Sequence, residues 1–297
     1  MYDGAWRSEG RVGAEVGDGA RDGELARNDG VAEVAFGGDG RLVHLYQSTP
    51  CRVAFPRAEP GDVPLGVFIT TSGGLAGGDR LRFRAAVADG GRAMVTTQAA
   101  EKIYRSLGAD TRIDIAVVAG AGAWMEWLPQ ETIVFDRARL RRRTDIHLGP
   151  GARALAGEML VLGRSAHGES VASGLVHDAI RVHRGGRLVW ADAVHLDGDI
   201  AAIVGSRAGF GGSTALATVV YAADDAASLL DGARGLLPDG GVHAGGVHAG
   251  ATIVNGLLVV RLLGEPFAVR RGFVRWWTAF RAAAGGLPAR LPRLWSM

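Results

Sequence analysis

Cysteine and lysine are almost missing from this chain. Its 297 residues include one cysteine, Cys51, which excludes an internal disulfide and any cysteine-cluster metal centre. Of the 33 lysines and arginines, only Lys102 is a lysine. A nucleic-acid binder concentrates its basic side chains in one footprint; here 31 acidic residues are interleaved with the arginines and the formal net charge is only +2. Nucleic acid is therefore not the expected partner. Long apolar runs are absent too, since none approaches the roughly 20 residues that a bilayer span needs. The opening "MYDGAWRSEG" lacks the basic-then-apolar build of a signal peptide. A cytoplasmic protein without a membrane span is expected.

Glycine is plentiful, at 46 residues, and it punctuates short apolar stretches that seldom keep a helical period. That pattern belongs to a mainly β protein with many turns. Residues 1–30 are rich in glycine and charge and read as a loose N-terminal tail, leaving 31–297 as a single β-rich domain. Within it "GGRAMVTTQAAEKI" (90–103), "GAGAWMEWLPQETI" (120–133), "GPGARALAGEMLVL" (149–162) and "RGGRLVWADAVHL" (184–196) share one plan. Each opens on a glycine turn, continues as a strand and carries a late acid: Glu101, Glu131, Glu158 and Asp192. A recurrence of about 30 residues lies in the range of stacked supersecondary units. The expected fold is a two-layer, solenoid-like stack of β-sheets with two short helices toward the C-terminus. Those helices are placed at about 222–237, with Asp224 and Asp225 near the N-terminal end of the dipole, and at about 272–284, ahead of Gly285.

Several catalytic signatures fail. "SGGLAGGDRL" (72–81) is glycine-rich but lacks the Gly-Lys-Ser/Thr ending with which a P-loop grips phosphates. "LGRSAHGES" (162–170) brings Ser165, His167 and Glu169 together, so a serine-type hydrolase using Ser165 and His167 is the alternative function. However, His167 stands where the nucleophile elbow needs its second glycine. "GGVHAGGVHAG" (240–250) puts His243 and His248 five residues apart, which suits a chelating pair on neither a strand nor a helix. The pair reads as a possible weak metal site in a glycine loop, or as a duplicated surface segment.

"LPQETIVFDRARLRRRTDIHL" (128–148) is the least ordinary stretch. As a strand, it places Arg137, Arg139, Arg141, Arg143, Asp145 and His147 on one face. Ala138, Leu140, Arg142, Thr144, Ile146 and Leu148 fall on the other. Two readings of the arginine face stand: a solvated strand whose charge blunts an edge, or a surface for an acidic partner.

Together, "GGLAGGDRL", "TTQAAEKIYRS", "EWLPQETIVFDRARLRRR", "GEMLVLGRSAHGE" and "GLLVVRLLG", followed by "LPARLPRLW", resemble the urease accessory family UreD, called UreH in some organisms. The resemblance covers roughly residues 60–297. It implies a mostly β maturation factor that is not an enzyme. Such a factor binds a helical accessory protein, UreF, and through it the GTPase UreG, and it docks on apo-urease to assist nickel insertion. On that reading no cofactor is permanently bound, Ni²⁺ passes transiently, and GTP belongs to the partner GTPase.

The matching motifs carry four carboxylates, Asp79, Glu131, Asp136 and Glu158. They are the expected lining of an internal metal passage, with salt bridges to arginine as the competing explanation. Phe273, Trp276, Trp277 and Phe280 fall on one face of the last helix. They are expected to anchor the helical partner, because buried aromatics dominate many interfaces; the competing reading is that they pack on the protein's own sheet.

Overall fold

Glycine turns and period-two alternation divide the chain into seventeen strands among the described residues, 27–164, 168–237 and 246–296 of a computed structural model. The chain opens with β1 (Asp29–Phe36), β2 (Leu42–Gln47), β3 (Cys51–Ala54) and β4 (Leu65–Thr70). Three rungs follow. The first is β5 (Arg80–Val87), β6 (Arg92–Thr97) and β7 (Glu101–Ile103); the second is β8 (Thr111–Ala119), β9 (Trp124–Leu128) and β10 (Thr132–Val134). The third is β11 (Arg139–Leu148) with the long β12 (Arg153–Leu162). Then come β13 (Ser173–Arg184), β14 (Arg187–Asp199), α1 (Ile200–Gly205), β15 (Ala215–Ala222) and α2 (Leu230–Gly235). The chain closes with β16 (Val247–Val254), β17 (Leu257–Gly264) and α3 (Pro266–Gly285).

The rungs stack in parallel. One sheet runs β14-β13-β11-β8-β5-β1-β2, the other β16-β17-β15-β12-β9-β6-β4-β3, with β10 and β7 continuing the latter beside β12. Arg92 lies beside Trp124, and Trp124 beside Arg153, so successive rungs are 32 and 29 residues apart. This is the solenoid-like stack that the glycine period suggests. The fourth repeat, 184–196, departs from it. It folds back through Gly185 and Gly186 as β14, antiparallel to β13 in the first sheet, and is not a further rung of the second.

Three layers result. The inward faces of the two sheets share one core, including Leu81, Phe83, Trp127, Leu140, Ile146 and Leu160. The outer face of the second sheet forms another with α3, including Leu155, Met159, Val219, Phe273 and Trp277. The second sheet is thus the middle layer, which explains why all five residues of β9 are buried. Gly157 on β12 permits the close approach of α3: a Cβ there would lie 2.6 Å from Trp277 Cζ3.

The helices differ from expectation. β15 holds its ladder with β12 as far as Ala222, so no helix begins there. The 222–237 segment instead makes a 3₁₀ turn over Ala226–Leu229 and then the six-residue α2, whose run contains Gly232 and Gly235. The last helix is longer than 272–284. It starts at Pro266, where Glu265 caps the Ala268 N–H at 2.9 Å, and ends at Gly286, a left-handed cap with φ 60°. α1 was not expected. At the other end the structured chain includes Asp29, so the tail boundary at residue 30 falls slightly late.

Candidate functional site

Alternation along β11 is as the sequence suggests, but the ladder begins at Arg139. Arg137 sits in the preceding turn at φ 59°. Arg139, Arg141 and Arg143 face outward, whereas Arg142 points between the sheets and is 4% exposed. Its guanidinium donates to Asp178 on β13 through Nε (2.8 Å) and Nη2 (2.6 Å), and Nη1 donates to Thr132 Oγ1 at 2.6 Å. Nη2 also lies 2.6 Å from Glu158 Oε2 on β12, an ion-pair contact outside hydrogen-bond alignment. Glu158 Oε1 accepts from Thr144 Oγ1 and from Trp127 Nε1 (3.3 Å).

Burial pushes the Glu158 carboxyl above the usual carboxylate range; Arg142 pulls it back, and the charge of Asp178 adds to the rise. Arg142 is itself held more firmly protonated, because Asp178 and Glu158 outweigh the burial that opposes its charge. Glu158, Asp178 and Asp192 line a cavity of about 10 Å³ between the sheets, room for one water. Asp192, whose side chain is partly exposed, forms an ion pair with Arg261 of β17.

A second ionic cluster lies on the opposite face of the middle layer. Arg281 on α3 is fully buried; it donates to Glu126 on β9 through Nε and Nη2 (both 3.0 Å) and to Asp62 through Nη2 (2.6 Å). Its Nη1 donates to the carbonyls of Pro288 (2.7 Å) and Arg290 (2.9 Å), tying down the C-terminal segment. Trp277 and Trp124 complete the shell of Glu126 with indole N–H bonds of 3.0 and 3.1 Å. Sequence reasoning missed Glu126, Asp62, Asp178 and Arg281. Of these, Glu126 carried a signal, a lone acid in the otherwise apolar "WMEWL".

The four carboxylates singled out by motif do not converge on one another. Asp79 is 5% exposed and accepts from Asn28 N (2.8 Å), Asn28 Nδ2 (3.0 Å) and Ala76 N (2.8 Å), pinning a turn. Asp136 accepts from the Ala172 and Ser173 N–H groups at 2.8 and 3.1 Å. Glu131 pairs with Arg270 of α3, which also donates to Gln130 Oε1 (2.8 Å) and stacks over Trp295. Glu158 alone faces the space between the sheets. Among the described residues no group of three or more His, Cys, Asp or Glu side chains is arranged to hold a metal ion.

The expected aromatic anchor is corrected by the packing. Phe273, Trp276 and Trp277 are 0% exposed and Phe280 1%, because the outer face of the middle sheet and α2 cover them. Trp276 Nε1 donates to Ala233 O of α2 at 2.9 Å. These rings hold the chain to itself. Ser165, His167 and His243 lie outside the described residues. Glu169, the third member of the hydrolase alternative, accepts from Arg164 Nε at 2.6 Å. His248 belongs to β16 and is exposed, so the second copy of the duplicated segment is largely strand and not loop.

Two further groups are perturbed. Glu101 on β7 is only partly exposed, and burial pushes its carboxyl up to about 7 against the Thr70 hydroxyl and Lys102, which favour the charge. Burial also pushes the Cys51 thiol up to about 12, which keeps it unreactive.

Two stacked sheets, with one buried ionic cluster on each side of the middle layer, define a β-solenoid-like protein. No described helix is long and apolar enough to cross a membrane. The family model described as UreD urease accessory protein matches residues 28–296, so the chain belongs to that family. The urease accessory protein UreD of Magnetococcus marinus is 48% identical over 261 residues, 88% of this chain and 90% of that one. The UreD protein of Methylobacterium sp. (strain 4-46) is 46% identical over 290 residues, 97% and 95% of the two chains. That of Xanthobacter autotrophicus is 43% identical over 263 residues, 88% and 86%.

Proposed function

We propose that this chain is a cytoplasmic, non-enzymatic scaffold for urease maturation. It links apo-urease to a UreF-like helical accessory protein, and through it to a UreG-like GTPase, and assists nickel insertion. The observation that carries this reading is the family match across residues 28–296. A body held by buried ion pairs and two cores suits an adaptor that must present fixed surfaces to several proteins at once. Ni²⁺ is the cargo, and GTP is bound and hydrolysed by the partner.

The metal passage is proposed to run past Glu158, where three carboxylates share a water-sized space between the sheets. Asp79, Glu131 and Asp136 then support it indirectly, through the turns and the α3 contact they fix. The test co-expresses urease with its accessory proteins and either this chain, no such chain, or the Glu131→Gln/Glu158→Gln variant. Omission should leave urease unactivated, and the intact chain should co-purify with the accessory proteins. The variant should assemble normally while urease gains less nickel by elemental analysis. Full activation without the chain would overturn the scaffold reading; unchanged nickel in an assembled variant would overturn the passage alone.

A further inference from the structure

The outward arginines of the first sheet are not scattered. Strand register sets Arg80 of β5 beside Arg112 of β8, Arg112 beside Arg141 of β11, Arg141 beside His177 of β13, and His177 beside His195 of β14. Five basic side chains therefore stand in one line across five strands. Like charges directly opposite each other on a sheet destabilise it. The rows alongside avoid that cost: Arg82 meets Asp29, Arg143 meets Asp114, and Arg181 meets Asp145. In the basic row Arg141 shares Asp110 with Arg139, and Asp29 of β1 stands beside Arg80 in register while its carboxylate pairs with Arg82. Among the described residues no carboxylate forms an ion pair with Arg80 or Arg112, and both are exposed. Arg112 lines two shallow grooves, of about 480 and 360 Å³, one on either side along the row.

From the unpaired guanidiniums of Arg80 and Arg112 in this row we infer a docking surface for an extended, carboxylate-rich segment of a partner protein. Strands about 4.8 Å apart make the row about 19 Å long, so one small anion neutralises only part of it, whereas successive acidic side chains follow its length. The exposed guanidiniums offer planar, two-pronged recognition of carboxylates. A nucleic acid fits less well. β5, β8, β11 and β13 place no exposed Phe, Tyr or Trp ring there for base stacking. Arg142, the partner of Glu158, lines the second groove, but it is not a member of the row.

The experiment measures binding of a fluorescent poly-glutamate peptide to the full chain by anisotropy. Binding should be detectable at low salt and weaken as salt shortens the screening length. Arg80→Gln/Arg112→Gln should lose about tenfold or more in affinity, whereas Arg275→Gln on the exposed side of α3 should change nothing. Removing one member of a like-charge row should also leave the melting temperature of Arg112→Gln equal to or above that of the parent. Absent peptide binding, unchanged affinity in the double variant, or a marked loss of melting temperature in Arg112→Gln would each overturn the inference. So would tighter binding of an oligonucleotide of matched charge.

Discussion

Arg281 and Glu126 form an ion pair with both side chains at zero exposure, Nε to Oε2 3.0 Å, joining the last helix to the middle sheet. A buried pair of this kind adds little over apolar packing, but breaking it strands a charge. Burial works against the guanidinium, yet Asp62 and Glu126 together raise its affinity for a proton, so it stays charged throughout the range in which the protein folds.

Arg281→Met is therefore expected to lower stability by about 3–5 kcal/mol. Glu126→Gln, which keeps the shape and the indole contacts, should cost less. Chemical denaturation of the two variants checks the order. The C-terminal segment, released from Nη1, should also become protease-sensitive in Arg281→Met.

The inter-sheet cluster allows a sharper contrast. Arg142→Met alone leaves Glu158 and Asp178 as unpaired buried acids and should again cost about 3–5 kcal/mol. Replacing Arg142, Glu158 and Asp178 together by apolar residues of similar volume should restore most of that loss. A triple variant no more stable than the single one would show that the cluster is not acting as a charge-balanced unit.

Glu101 predicts a pH dependence. The folded protein binds its proton more tightly than the unfolded chain, whose ordinary value is 4.5, so the associated stability is complete below that pH and is lost as pH rises through about 7. The loss is on the order of 2–3 kcal/mol. Glu101→Gln should flatten this part of the stability curve and raise the melting temperature at pH 8.

Gly157→Ala tests the seat of α3. The added methyl overlaps Trp277 and Phe273, neither of which has an exposed route to move into. A cost of about 1–3 kcal/mol is expected. The outward row of arginines, on the far side of the molecule, should keep its peptide affinity.

Much of this architecture was legible. The glycine period announced the stacked rungs, and the 139–148 alternation separated Arg142 from its neighbours correctly. What stayed hidden was partnership, because Arg142 meets acids from β12 and β13 that only strand stacking brings close. The rings of α3 showed their helical spacing plainly, but spacing says nothing of whether the chain or another protein covers them. The start of α3 was available in Glu265-Pro266, an N-cap followed by proline at the first helical position. The 222–237 segment misled because its acids and leucines keep a helical period that the ladder of β15 overrides at Ala222.

The position of α3 has a consequence for how the molecule is made. Glu126 leaves the ribosome 155 residues ahead of Arg281, and Asp62 leads it by 219. At about 5–20 residues per second, the first gap lasts about 8–30 s. Throughout that interval the nascent sheet presents a half-finished wall of leucine, methionine and tryptophan, with a carboxylate still awaiting its cation. A ribosome that stalls before codon 266 thus releases not a shortened scaffold but one with an entire layer open to the cell's quality-control machinery.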